Sequence, residues 1–147
     1  AASANAGRLL TAFRRAGRLV IHVGHKVNAG GDFFIDVTPE SGESIVMKTE
    51  VNAFRSTELQ NILQEADIKR LVLCGMQTHM CLEGATRAAV DLGYECIVVS
   101  DACATRDLKR GEVVIKASDV HDATLATLDG AYAQVVDTEE IIGQLGK

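Results

Sequence analysis

Short, continuous apolar runs alternate with stretches of helical periodicity, and this alternation constrains the fold more than any other feature of the chain. RLVIHV (18–23), SIVMK (44–48), RLVLC (70–74), ECIVVS (95–100) and YAQVVD (132–137) read as strands. Leu9, Leu10 and Phe13 share one helical face in 5–16, with Gly17 as the stop. Leu59, Ile62, Leu63 and Ala66 share another in 57–66. Residues 81–92, closed by Gly93, and 119–129, stopped by Asp129–Gly130, read as further helices. Thr138 is the predicted cap of a last helix carrying Ile141, Ile142 and Leu145. A half-wet strand alternates polar with apolar residues. These runs are apolar for most of their length, so both of their faces are covered. The predicted fold is therefore α/β: a three-layer, doubly wound, mostly parallel sheet with helices on both faces. The chain's 147 residues suit a single domain, 1–147, with a sizeable core.

The net charge of −5 comes without a basic cluster, which argues against a nucleic-acid partner. No apolar run approaches membrane-spanning length, so no membrane role is expected. The opening AASANAGRLLTAFRR lacks a signal peptide's apolar block, and the expected location is cytoplasmic. The cysteines are Cys74, Cys81, Cys96 and Cys103. They form no C-x-x-C pair, so neither a zinc site nor a redox pair is indicated. They are expected to be reduced, with Cys74, Cys96 and Cys103 packed in the interior.

Sites in parallel sheets lie past the carboxyl ends of strands. Here that rule selects the segment after Val23, Lys48 with the residues just beyond it, and the segment after Cys74. The first opens a long loop, 24–43, that holds the only proline, Pro39. Phe33 and Phe34 in that loop are candidates for a substrate lid or an oligomer contact. The third segment holds GMQTHMCLEGATR (75–87), with Cys81 at the junction of strand and helix. A helix start favours thiolate over thiol through its unpaired N–H groups and its dipole. Cys81 is then either a nucleophile or a packed structural thiol. C-x-x-G-x-x-R, spelled by Cys81, Gly84 and Arg87, also matches a cysteine phosphatase loop. Glu83 would place negative charge inside that anion cradle. On a continuous helix Arg87 also leaves the Cys81 face and is expected to pair with Asp91.

LVLCGMQTHMCLEGATRAAVDLGYECIVVSDACATRD (71–107) resembles the signature region of the isochorismatase-like cysteine hydrolases. The resemblance continues through GESIVMKTEVNAFRSTELQNIL (42–63) and LLTAFRRAGRLVIHVGH (9–25), and so covers most of the chain. It implies a triad of Asp, Lys and Cys, in which Cys81 matches the nucleophile and Lys48 the lysine. A nearby ammonium would favour the thiolate and hold negative charge during turnover. The resemblance also implies a non-proline cis peptide at Met76–Gln77 and an oxyanion hole made by the N–H groups of Gln77 and Cys81. Phe54, Thr78, His79 and Met80 would border the substrate. Asp101 is read as a capping residue. The triad's aspartate belongs to a central first strand, in a D-x-Q segment upstream of anything matching 5–23, and no residue here matches it. The domain is accordingly expected to be N-terminally incomplete, with a gap in the sheet and unpaired backbone on both flanking strands. The loop between Asp32 and Pro39 also looks short for the family.

The implied reaction is hydrolysis of an amide-type C–N bond of a small molecule through a Cys81 thioester. Two alternatives are a non-catalytic oligomeric or ligand-binding member and an ether hydrolase of the isochorismatase type. Nicotinamidases carry a metal on D-x-H plus a second histidine. HVGHKVNAGG offers only His22, read as a core residue, and His25, so no metal and no other cofactor is expected, and nicotinamide is a disfavoured substrate. The resemblance further implies a homo-oligomer, a dimer or tetramer.

Overall fold

A computed structural model describes residues 1–27 and 32–145. Residues 28–31, in the middle of the 24–43 loop, lie outside the described residues. The order begins α1 (Ala2–Arg15), β1 (Ile21–His25), a 3₁₀ turn (Ile35–Val37), β2 (Ser44–Lys48), α2 (Leu59–Glu65) and β3 (Arg70–Met76). A π-helical turn (Thr78–Leu82) then runs into α3 (Glu83–Asp91). β4 (Glu95–Ala104), β5 (Leu108–Arg110), β6 (Val113–Ile115), α4 (Ala117–Leu128), β7 (Gln134–Val136) and α5 (Thr138–Leu145) complete the order.

Parallel sheets flanked by helices make this an α/β fold, as the alternating pattern predicts. β4 is its centre, paired in parallel with β3 on one side and β7 on the other. Successive β4 residues serve opposite layers, as the period of two requires. Cys96 and Val98 join Leu82, Ala89, Leu125 and Leu128, which are contributed by the π turn, α3 and α4. Ile97 and Val99 join Ala6, Leu9 and Ile141 from α1 and α5. A third cluster packs Leu59 and Leu63 of α2 on Val46 of β2 and Ala85 of α3.

The parallel strands form two groups, β1–β2 and β3–β4–β7. Among the described residues β1 and β3 each pair on one side only. This bears on Cys74, which was expected in the interior. It is exposed, on a strand that among the described residues has a neighbouring strand on one flank only. Cys96 and Cys103 are buried as expected, and no disulfide links the four thiols. Burial pushes the Cys96 thiol up to about 11 and the Cys103 thiol up to about 12.

Two local expectations are revised. Between the predicted strand 95–100 and the predicted helix 119–129, where the sequence shows no element, lies the antiparallel hairpin β5–β6, turned at Gly111 with φ +61; each arm is too short to show a pattern. The last helix is capped by Asp137, whose Oδ1 accepts the Glu140 N–H at 2.8 Å, and not by Thr138. The Thr138 hydroxyl instead donates to Asp101 Oδ1 at 2.7 Å, which also accepts the Thr138 N–H at 2.9 Å. Asp101 thus has the anchoring role foreseen for it. No helix among the described residues is long and apolar enough to cross a membrane.

Candidate active site

β1 and β2 run parallel in register, with His25 opposite Lys48 at their carboxyl ends. The π turn after β3 brings Cys81 to the same place. Lys48 Nζ donates to Cys81 Sγ at 3.1 Å, to the Glu50 carbonyl at 2.8 Å and to His25 Nδ1 at 2.8 Å. An ammonium has three N–H donors, and three acceptors surround this one. Lys48 is only 4% exposed, so it is no solvated surface lysine. Its charge is stabilised by these acceptors in place of water. The arrangement places the Lys48 amino group within hydrogen-bond distance of the sulfur.

The turn that carries Cys81 is held from several directions. The Gln77 carbonyl accepts the N–H groups of Met80 (3.0 Å) and Leu82 (3.3 Å), the second an i to i+5 bond. π turns of this kind recur at functional sites. The helix therefore opens before Cys81 and not at it. Thr78 has no exposed surface, and its hydroxyl meets His121 Nδ1 at 2.9 Å. It supports the turn and offers no surface to a substrate. The ring of His79 meets the Thr105 hydroxyl at 2.6 Å, and Arg106 Nε donates to Gln77 Oε1 at 3.2 Å. The Met76–Gln77 peptide is cis, as the resemblance implies. Met80 is exposed, and half-buried Phe54 stacks on Tyr94 with centroids 6.1 Å apart.

Arg87 does not pair with Asp91. It donates through Nε and Nη2 to Glu83 Oε1 (3.0 and 2.9 Å) and lies over the Tyr132 ring at 4.3 Å. Glu four residues before the cation is the better-oriented helical pair, and the Tyr132 face adds attraction on that side. Gly84 is explained by packing: a Cβ there would lie 3.0 Å from Val51 Cγ1. The phosphatase motif is therefore fortuitous in this fold.

Lys48 and Cys81 come together as expected. His25 joins them, its Nδ1 4.0 Å from Cys81 Sγ. A strand ended at Val23, as RLVIHV (18–23) predicts, leaves His25 in the 24–43 loop. β1 continues two residues further, and the strand-end rule applied to that boundary would have found it. His22, as expected, is a core residue: it is buried, its Nε2 lies 2.7 Å from Glu43 Oε2, and its ring stands edge-on to Phe33. Phe34 of the same loop is exposed. Among the described residues no carboxylate lies within hydrogen-bond distance of Lys48 Nζ or Cys81 Sγ.

The family model "Isochorismatase domain" matches residues 1–140. The chain belongs to the isochorismatase family. It is 39% identical to the uncharacterized isochorismatase family protein YddQ of Bacillus subtilis, a match that spans 96% of this chain and 84% of that one. It is 29% identical to the maleamate amidohydrolase of Pseudomonas putida, across 74% of this chain and 46% of that enzyme. A solved structure of a cysteine hydrolase from Pseudomonas syringae pv. phaseolicola superposes with a TM-score of 0.92 at 26% identity, covering 98% of this chain and 79% of the other. As an isochorismatase-family member the protein is a hydrolase.

Proposed function

We propose that this isochorismatase-family protein hydrolyses an amide-type C–N bond of a small molecule through a thioester on Cys81. The observation that carries the reading is the 3.1 Å contact between buried Lys48 Nζ and Cys81 Sγ. The likeness to an amidohydrolase and to a cysteine hydrolase supports it.

In this reading the thiolate attacks the carbonyl carbon, and the carbonyl π pair moves onto oxygen. The N–H groups of Gln77 and Cys81 receive that oxyanion. Collapse of the adduct breaks the C–N bond, and the leaving nitrogen takes the proton that the thiol gave up. Water then adds to the thioester, and the acid departs as Sγ is restored. Lys48 holds the negative sulfur at the start and end of the cycle. Phe54, His79 and Met80, each with exposed surface, border the substrate.

The test is ammonia release from a panel of small primary amides, with maleamate as the first probe. Cys81→Ala is expected to abolish release while the unfolding free energy stays within about 1 kcal/mol of the parent. Full turnover by folded Cys81→Ala would refute the mechanism. A parent that binds amides but hydrolyses none would favour the ligand-binding alternative.

A further inference from the structure

We propose that His121 of α4 is a positioning residue of this site: through Thr78 it holds the turn so that the Gln77 N–H meets the oxyanion. The inference rests on the cysteine-hydrolase reading above and gives a role to a side chain that the reading leaves out.

The first observation is a buried bond. Thr78 directly follows Gln77, and it has no exposed surface. Its hydroxyl meets His121 Nδ1 at 2.9 Å, across 43 residues of sequence. Water does not reach the hydroxyl, so losing the ring leaves a buried polar group without a partner. The second observation is that the same peptide is held at its other end. The Gln77 carbonyl accepts the N–H groups of Met80 and Leu82 at 3.0 and 3.3 Å. The Gln77–Thr78 peptide is thus fixed by its own turn on one side and by α4 on the other.

The third observation is that α4 is a firm support. Asp107 Oδ1 accepts the Ala117 N–H at the start of α4 at 2.8 Å. Leu125 and Leu128 of α4 pack in one core cluster with Leu82 of the π turn. A site group keeps its working geometry when its support is itself locked by packing and hydrogen bonds. His79 and Thr105 tie the same turn to the end of β4 at 2.6 Å, but both are half-buried, and water can stand in for either. Burial therefore singles out the Thr78–His121 bond as the one that solvent cannot replace.

The experiment compares two reactions of Cys81 in the full chain at pH 7.5. With p-nitrophenyl acetate the thiolate attacks the carbonyl, an oxyanion forms and collapses, p-nitrophenolate leaves, and an acetyl thioester remains. With iodoacetamide the thiolate displaces iodide from carbon, and no oxyanion forms. Peptide masses assign both products to Cys81. Thr78→Val keeps the shape and removes the hydroxyl. It is expected to slow acetylation about tenfold, less than the loss of a whole oxyanion donor, with alkylation within about twofold of the parent. His121→Leu should behave alike. The double variant should be no slower than the slower single, because one bond is removed in each case. Thr78→Ser, which keeps the hydroxyl, should stay near the parent. A merely structural role would move both reactions together or neither.

Labelling of buried Cys96 and Cys103 reports unfolding in the same spectra. Should Thr78→Val expose them, His121→Leu against His121→Asn decides, since the asparagine amide can stand where Nδ1 stands and should restore acetylation. Parent-like acetylation in folded Thr78→Val and His121→Leu would overturn the role of His121, and so would an equal fall in both reactions. The selective fall in a parent that hydrolyses no amide would support the positioning role and refute the amidase reading. A parent Cys81 no more reactive than free N-acetylcysteine toward either reagent would refute the nucleophile, and the positioning role with it.

Discussion

Replacing Glu43 with glutamine is expected to destabilise the fold at neutral pH, by an amount that shrinks as the solution is acidified. Glu43 accepts from Arg14 Nε (2.7 Å) and Nη2 (2.8 Å), from His22 Nε2 (2.7 Å) and from the Glu40 N–H (2.8 Å). These bonds tie α1 and β1 to the approach to β2. The Glu43 side chain is 14% exposed and that of Arg14 22%, so water screens the pair only in part. Removing one partner of a fully buried pair costs about 3–5 kcal/mol. Partial exposure and the oxygen that glutamine retains reduce this to about 2–3 kcal/mol. In a domain of this length that is a fall of about 5–10 °C in Tm. The guanidinium of Arg14 is the main cause holding the Glu43 carboxyl well below its ordinary 4.5, helped by the Glu40 N–H and His22 and opposed by burial. A depressed folded-state value means that the unfolded chain binds the proton more readily. The stabilisation is therefore complete above about pH 4.5 and is lost as the pH falls from there through the folded-state value. Urea unfolding of parent and Glu43→Gln, followed by circular dichroism from pH 7 to 3, measures the difference. Other carboxylates cancel in the comparison. A difference that stays constant with pH, or one below about 0.5 kcal/mol at pH 7, would refute the assignment.

Two further substitutions test the packing. Gly7→Ala should destabilise by about 1–2 kcal/mol in urea unfolding. Helix propensity alone predicts a gain of about 1 kcal/mol, but a Cβ there would lie 2.7 Å from the Asp36 carbonyl oxygen, a backbone atom that cannot step aside alone. A measured gain would show that the 3₁₀ turn yields to α1. Asp137→Ala should cost about 1 kcal/mol by loss of the α5 cap. Hydrogen exchange should show the loss first in the Glu140 amide, and unchanged protection there would refute the cap.

Periodicity is a local property, and it was legible. The apolar runs located β2 and the buried body of β4, and the spacing of Leu59, Ile62 and Leu63 located α2, with ends one or two residues off. The strand-end rule pointed to Lys48, and the strand-to-helix junction pointed to Cys81. Both inferences need only neighbours along the chain. The family resemblance added the Lys48–Cys81 pairing that no local pattern could supply. What stayed hidden depends on groups far apart in sequence. Lys48 meets His25 across 23 residues and Cys81 across 33, and Thr78 meets His121 across 43. Strand register and helix packing choose those partners. Cys74 is a further case: its apolar run is as continuous as that of β4, yet it is exposed, and among the described residues β3 is paired on one side only. A sequence states which side chains need cover and which need partners. Only the folded chain decides which long-range neighbour provides them, because register and packing are settled by the whole core at once.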